Sequence, residues 1–269
     1  MRSGHAGRGS MVPIVGLSAG CPEVVIRVSC ISWYVHGMAD RVFVLVHSPS
    51  VGPGTWASVA AELRSAGSEV VVPSLLSVAT APPPYWPEAV RCVRESLRGA
   101  RDGAPVTLVL HSNAGLLAPV FVDGLESRVD AVVFVDAGLP ARDGPTAMAS
   151  TEFLPFLRDK ADNGMLPPWT DWWDEADVAA LFPDEETRQK ISAEQQRLPL
   201  AYFETMIPHV AGWDQRRCGY VVFNDAYREQ ALDARARGWP VREVKGEHLH
   251  MLVDPAATAA AITSVSAPL

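Results

Sequence analysis

From Arg41 onward, short continuous apolar runs alternate with segments of helical period. "VFVLVH" (42–47) is apolar at every position of strand length, the signature of a parallel strand covered on both faces. "TWASVAAELRSAG" (55–67) follows, with Trp56, Val59, Ala60 and Leu63 at helical spacing and Gly67 as a stop. "EVVVPSL" (69–75), "VTLVLH" (106–111) and "DAVVFVDAG" (130–138) read as further strands. Helices are expected over "PEAVRCVRESLRGA" (87–100) and "AGLLAPVFVDGL" (114–125). Between about 140 and 215 the alternation stops, leaving helical pieces, prolines and aromatics without a convincing buried strand. It resumes with "GYVVFN" (219–224), a helix through "AYREQALDARARG", the strand "PVREV" (240–244) and an Ala-rich closing helix from about 255.

Strands alternating with helices imply a mostly parallel, doubly wound α/β sheet with right-handed crossovers. The expected organisation is an α/β core over 38–139 and 216–269, interrupted by a helical cap insertion over 140–215. Residues 1–37 are expected to be a poorly ordered extension. Their basic start and short apolar stretch faintly suggest an export signal, but the stretch is short and no clear cleavage site follows. "MADRVFVLVH" from Met38 looks like a natural protein start, and the expected location is cytoplasmic.

Composition narrows the partners. The chain has 269 residues, 48% of them hydrophobic, and a net charge of −8. An acidic balance lacks the basic face that phosphate backbones require, so nucleic acid is not an expected partner. No apolar run reaches the roughly 20 residues of a membrane span. Cys21, Cys30, Cys92 and Cys218 show no C-x-x-C pairing and read as thiols in a reducing compartment. No metal-ligand cluster is visible, and "GPG" at 52–54 lacks the Lys and spacing of a phosphate loop. A small-molecule substrate, no cofactor, and a monomer or homodimer are therefore expected. Only three lysines (Lys160, Lys190, Lys245) stand among 23 basic residues, an association with GC-rich bacteria and their biosynthetic pathways.

In an open α/β sheet, ligands bind at the carboxyl ends of the strands. Four polar stretches fall there: "HSPSVGPG" (47–54), "HSNAG" (111–115), "DAG" (136–138) and "GEHLHM" (246–251). Ser, Asp and His then follow one another in the chain order of a nucleophile–acid–base set.

On these stretches the chain resembles the α/β-hydrolase superfamily, in its esterase- and thioesterase-like branches, from Arg41 to the end. "VTLVLHSNAGLL" looks like the nucleophile elbow and "GEHLHMLVDP" like the histidine loop. The resemblance implies that Ser112 is the nucleophile, set on a strained strand-to-helix turn where Ala114 and Gly115 relieve crowding. Leu110 departs from it, standing where the family usually has Gly. The alternative is that Ser112 merely caps a helix. The family's catalytic His usually precedes a helix-opening Pro by seven residues, which selects His248 before Pro255. His250 is then a pocket or hydrogen-bonding residue. For the acid, Asp136 at the end of its strand is preferred, with Asp225 after the penultimate strand as the alternative.

The family's oxyanion loop places a backbone N–H where this chain has Pro49, which has none. The Asn113 N–H, with Ser48 or Ser50 through hydroxyl or backbone, is the expected oxyanion set. A hydroxyl here resembles the hydroxynitrile-lyase branch, although Leu249 replaces the lysine that follows the His there. Phe153, Trp169, Trp172 and Trp173 of the insertion are expected to wall a mostly apolar pocket. The function expected is ester, lactone or thioester hydrolysis. The alternatives are a lyase or cyclase using the same Ser and His for proton transfer, and an inactive binding protein.

Overall fold

A computed structural model describes residues 41–125 and 128–267. The expectations for residues 1–37 lie outside them.

Six strands form one parallel sheet: β1 (Val42–Val46), β2 (Glu69–Val71), β3 (Val106–His111), β4 (Val129–Val135), β7 (Arg217–Val222) and β8 (Val241–Glu243), in the order β2-β1-β3-β4-β7-β8. The central strands are buried on both faces, and alternate residues part into two cores. Val42, Val44 and Val46 join one core, against α2 (Trp86–Ser96) and α3 (Ala118–Gly124). Phe43 and Leu45 join the other, against α1 (Ala57–Ser65) and the closing helix (Pro255–Ser266). Helices on both faces explain why these strands are apolar runs and not alternating patterns. Gly219 of β7 is set close to that closing helix, where an added Cβ would lie 2.7 Å from Val265.

Between β4 and β7 lie four helices, α4 (Leu154–Lys160), α5 (Glu175–Ala179), α6 (Glu185–Glu194) and α7 (Leu200–Phe203). They are followed by α8 (Arg228–Ala236), the short α9 (His250–Val253) and α10, the closing helix already described. One feature of this region departs from the sequence reading. Thr146–Ala147 (β5) and Met206–Ile207 (β6) pair antiparallel, a ladder too short to leave a hydrophobic period. Glu194 at the end of α6 accepts the Gly54 N–H at 2.8 Å, tying the inserted helices to the loop after β1. None of the helices among the described residues is long and apolar enough to cross a membrane.

Candidate active site

Ser112 follows β3 directly and has φ 57°, the left-handed region that a side chain adopts only under constraint. The constraint is visible. The Ser112 carbonyl accepts the Gly138 N–H at 3.1 Å, and a 3₁₀ turn (Ser112–Leu117) leads into α3. Gly115 allows the close approach, since a Cβ there would sit 2.3 Å from the Gly138 carbonyl oxygen. Leu110, at the position of the family's usual glycine, is wholly buried in the core beside β1 and β4.

Asp136 follows β4 directly, has φ 43° and is fully buried. Both of its carboxylate oxygens are engaged: Oδ1 accepts the Phe223 N–H at 2.9 Å and Oδ2 faces His248 Nδ1 at 2.7 Å. A carboxylate can only accept, so Nδ1 carries the proton and Nε2 presents its lone pair. That lone pair lies 3.0 Å from Ser112 Oγ. Ser112, His248 and Asp136 thus form one continuous hydrogen-bonded line. Asp225 is elsewhere: its side chain is 90% exposed and paired with Arg228.

His248 is enclosed by rings that the sequence pattern did not indicate. Tyr227 stacks on it at 5.0 Å between centroids and 6° between planes, and the Tyr227 hydroxyl lies 3.5 Å from Ser112 Oγ. Burial pushes the phenol up to about 12. His111 lies 4.6 Å from His248 and donates its Nε2–H to the His248 carbonyl at 3.0 Å. Burial, then the neighbouring His248, hold His111 well below the usual imidazole range. The only sequence signal for His111 was its place before the serine; for Tyr227 there was none.

The loop after β1 folds as a turn in which Val51 N–H donates to the Ser48 carbonyl at 3.0 Å. His47 fixes this turn, donating Nδ1–H to the same carbonyl at 2.8 Å while Nε2 accepts the Leu75 N–H at 2.9 Å. Complete burial lowers the His47 pKa to about 4, so the ring is neutral. Ser48 Oγ accepts the Ser50 N–H at 3.3 Å, which leaves the hydroxyl proton available to another acceptor. Asn113 is held through its side chain: Nδ2 donates to the Met148 carbonyl at 2.9 Å, and Oδ1 accepts from the Tyr202 hydroxyl at 2.6 Å.

A cavity of about 1360 Å³ opens over this line and is lined by Ser48, Ser50, Ser112, Asn113 and His248. Phe153, Trp169, Trp172 and Trp173 also line it, with Trp169 5.9 Å from the His248 ring. Trp172 is further anchored by Nε1–H donation to the Pro167 carbonyl at 2.9 Å. His250, expected in the pocket, is not among the lining residues. Two residues beyond His248 and inside the first turn of α9, it packs on Phe223 at 5.6 Å instead.

Comparison with known proteins agrees with this architecture. The model of the alpha/beta hydrolase family matches residues 43–261, and the chain belongs to that family. An extracellular alpha/beta-hydrolase from a Paenibacillus species is 18% identical, with a TM-score of 0.65 over 83% of this chain and 98% of that one. Polyneuridine aldehyde esterase is 16% identical, with a TM-score of 0.67 over 84% and 99%. A histidine-to-alanine variant of tomato methylketone synthase I, complexed with β-ketoheptanoate, is 18% identical, with a TM-score of 0.64 over 84% and 97%. At these identities the likeness is one of fold. A search of curated proteins gives no match.

Proposed function

We propose that the chain is a serine hydrolase of small to medium apolar esters, lactones or thioesters. The observation that carries the reading is the line from Asp136 Oδ2 through His248 to Ser112 Oγ, with spans of 2.7 and 3.0 Å. In this reading Ser112 Oγ attacks the carbonyl carbon while its proton passes to His248 Nε2. Buried Asp136 holds the imidazole in the Nδ1–H tautomer and stabilises the imidazolium that forms. The Asn113 N–H and the Ser48 hydroxyl, with Ser50 beside it, receive the oxyanion charge in place of the N–H that Pro49 lacks. The proton then goes to the departing alcohol or thiol. Water, activated by the same His248, releases the acid and restores Ser112.

Residues 140–215 serve as the cap in this account, on a core of 38–139 and 216–269, and their aromatic side chains select an apolar acyl or alcohol portion. Neither metal nor organic cofactor has a step in it.

Labelling with a fluorophosphonate probe tests the reading. Wild type is expected to label covalently, and Ser112→Ala and His248→Ala to lose the label while remaining folded. A folded wild type that does not label would contradict it.

One observation favours a second reading. Because Pro49 leaves the oxyanion loop without its usual N–H, a hydroxyl-lined site suits proton-transfer chemistry such as elimination or cyclisation, with Ser112 and His248 shuttling a proton and no acyl-enzyme. Turnover without covalent labelling would be its mark.

A further inference from the structure

We infer that the Tyr227 hydroxyl is a hydrogen-bond donor to the departing oxygen, and that the site is consequently built for alkyl esters and lactones rather than thioesters. The inference rests on the acyl-transfer reading and narrows its substrate class.

The geometry points there in two ways. Ser112 Oγ has two polar neighbours besides backbone, His248 Nε2 at 3.0 Å and the Tyr227 hydroxyl at 3.5 Å. Tyr227 is also fixed in place, its ring lying parallel to the imidazole at 5.0 Å, and it lines the substrate cavity. A phenol held beside the proton-transferring nitrogen reaches the same small volume in which a leaving group must separate. That volume is used twice. In acylation the alcohol oxygen of the ester departs through it, and in deacylation Ser112 Oγ is itself the departing oxygen.

Atoms and charges balance without any change of ionisation at Tyr227. In acylation the Ser112 Oγ–acyl bond forms and its proton moves to His248 Nε2. The acyl–oxygen bond of the ester then breaks with its electron pair on the alcohol oxygen, which receives the Nε2 proton. Throughout, Tyr227 O–H donates a hydrogen bond to the oxygen on which negative charge builds. In deacylation the water oxygen–acyl bond forms as a water proton moves to His248 Nε2, and the acyl–Oγ bond breaks with its electron pair on Ser112 Oγ, which takes that proton while accepting the bond from Tyr227.

The chemical selectivity follows from basicity. A phenol pushed up to about 12 by burial remains protonated throughout the neutral range and retains its donor. An alkoxide is about as basic as hydroxide and accepts such a bond strongly. A thiolate is a far weaker base than an alkoxide, needs less help to leave and is a weak acceptor. The contribution of Tyr227 is therefore large for an oxygen leaving group and small for sulfur.

The test compares an ethyl ester and an ethyl thioester of one acyl chain by kcat/KM, which reports acylation alone. Tyr227→Phe removes the hydroxyl and keeps the ring, and Tyr227→Leu removes both. The expected result for Tyr227→Phe is a loss of roughly ten- to a hundredfold on the oxygen ester, the effect of one hydrogen bond to a charged group. The same variant is expected to lose less than about threefold on the thioester, with fluorophosphonate labelling of Ser112 retained. Tyr227→Leu is expected to lose a further, equal factor on both substrates, since the support of the ring for His248 is indifferent to the leaving group. Equal losses on both substrates in Tyr227→Phe, or none on either, would overturn the role of Tyr227 and leave acyl transfer standing. A folded wild type that neither labels nor turns over either substrate would overturn acyl transfer and this role together.

Discussion

Asp136 and His248 meet at 2.7 Å although 112 positions separate them in the chain, and the carboxylate is wholly buried while it does so. A buried carboxylate with both oxygens bonded has one orientation open to it, and it imposes one tautomer on the imidazole. Asp136→Asn is therefore expected to leave the fold intact and to reverse that tautomer. A loss of about 10⁴ in kcat is expected, the cost of the same change in a Ser-His-Asp protease. Asp225→Asn, at an exposed position paired only with Arg228, is expected to change kcat less than about threefold. Steady-state rates on one ester, with circular dichroism of each variant, check both.

The serine is strained for the sake of its position. A non-glycine residue at φ 57° costs on the order of 1–3 kcal/mol. Ser112→Gly is expected to raise stability by about 1 kcal/mol, after the added chain entropy of glycine is set against the relieved strain. The same variant is expected to lose activity, since the proposed mechanism needs the Ser112 hydroxyl. A urea midpoint that falls in this variant would show that the turn is not under strain.

Gly115 is the counterpart of that turn. Its Cα faces the Gly138 carbonyl, so Gly115→Ala forces backbone apart between the serine turn and the segment that carries Asp136. Overpacking of this kind costs about 1–3 kcal/mol. Activity is expected to fall by more than that loss of stability explains, because the segment that moves carries Asp136, which bonds His248. Thermal unfolding and kcat measured on the same preparation check this, and an active, equally stable Gly115→Ala would refute it.

Acid sensitivity follows from His47 and His111. His47 is neutral when folded, with its pKa lowered to about 4, whereas the unfolded chain takes up a proton near 6.5. Between those values the unfolded state binds more protons, so stability rises with pH. The contribution of His47 is complete above about pH 6.5 and is lost as pH falls towards 4, about 3 kcal/mol in all. An imidazolium could no longer accept the Leu75 N–H, which is the structural cost of forcing the proton on. His111 acts in the same direction. Urea midpoints at pH 7.0 and 4.5 are expected to differ steeply in wild type and less in His47→Gln. An equal difference in both would contradict the assignment.

The sheet was legible because parallel strands covered on both faces leave continuous apolar runs, as in "VFVLVH" and "VTLVLH", and buried sheets are dictated by such runs. The strand-end residues followed from topology, since Ser112, Asp136 and His248 each leave a strand of that sheet at its carboxyl end or just beyond. Other parts were not legible, for local reasons. The β5–β6 ladder is two residues long and carries no period. The position of Tyr227 over His248 depends on how the loop after β7 folds back, which no spacing encodes. His250 has the composition of a pocket residue but begins a helical turn, and the direction of that turn sends it to Phe223. The burial of Asp136 against His248 and the exposure of Asp225 depend on depth, a property of the assembled sheet and not of either local sequence.

The most direct measurement is mass spectrometry of the enzyme quenched within its first turnovers of a p-nitrophenyl ester. The account predicts an acyl adduct on the peptide that contains Ser112, formed with a burst of p-nitrophenol and absent from Ser112→Ala and His248→Ala. Hydrolysis proceeding in wild type with no adduct and no burst, undiminished in Ser112→Ala, would contradict it.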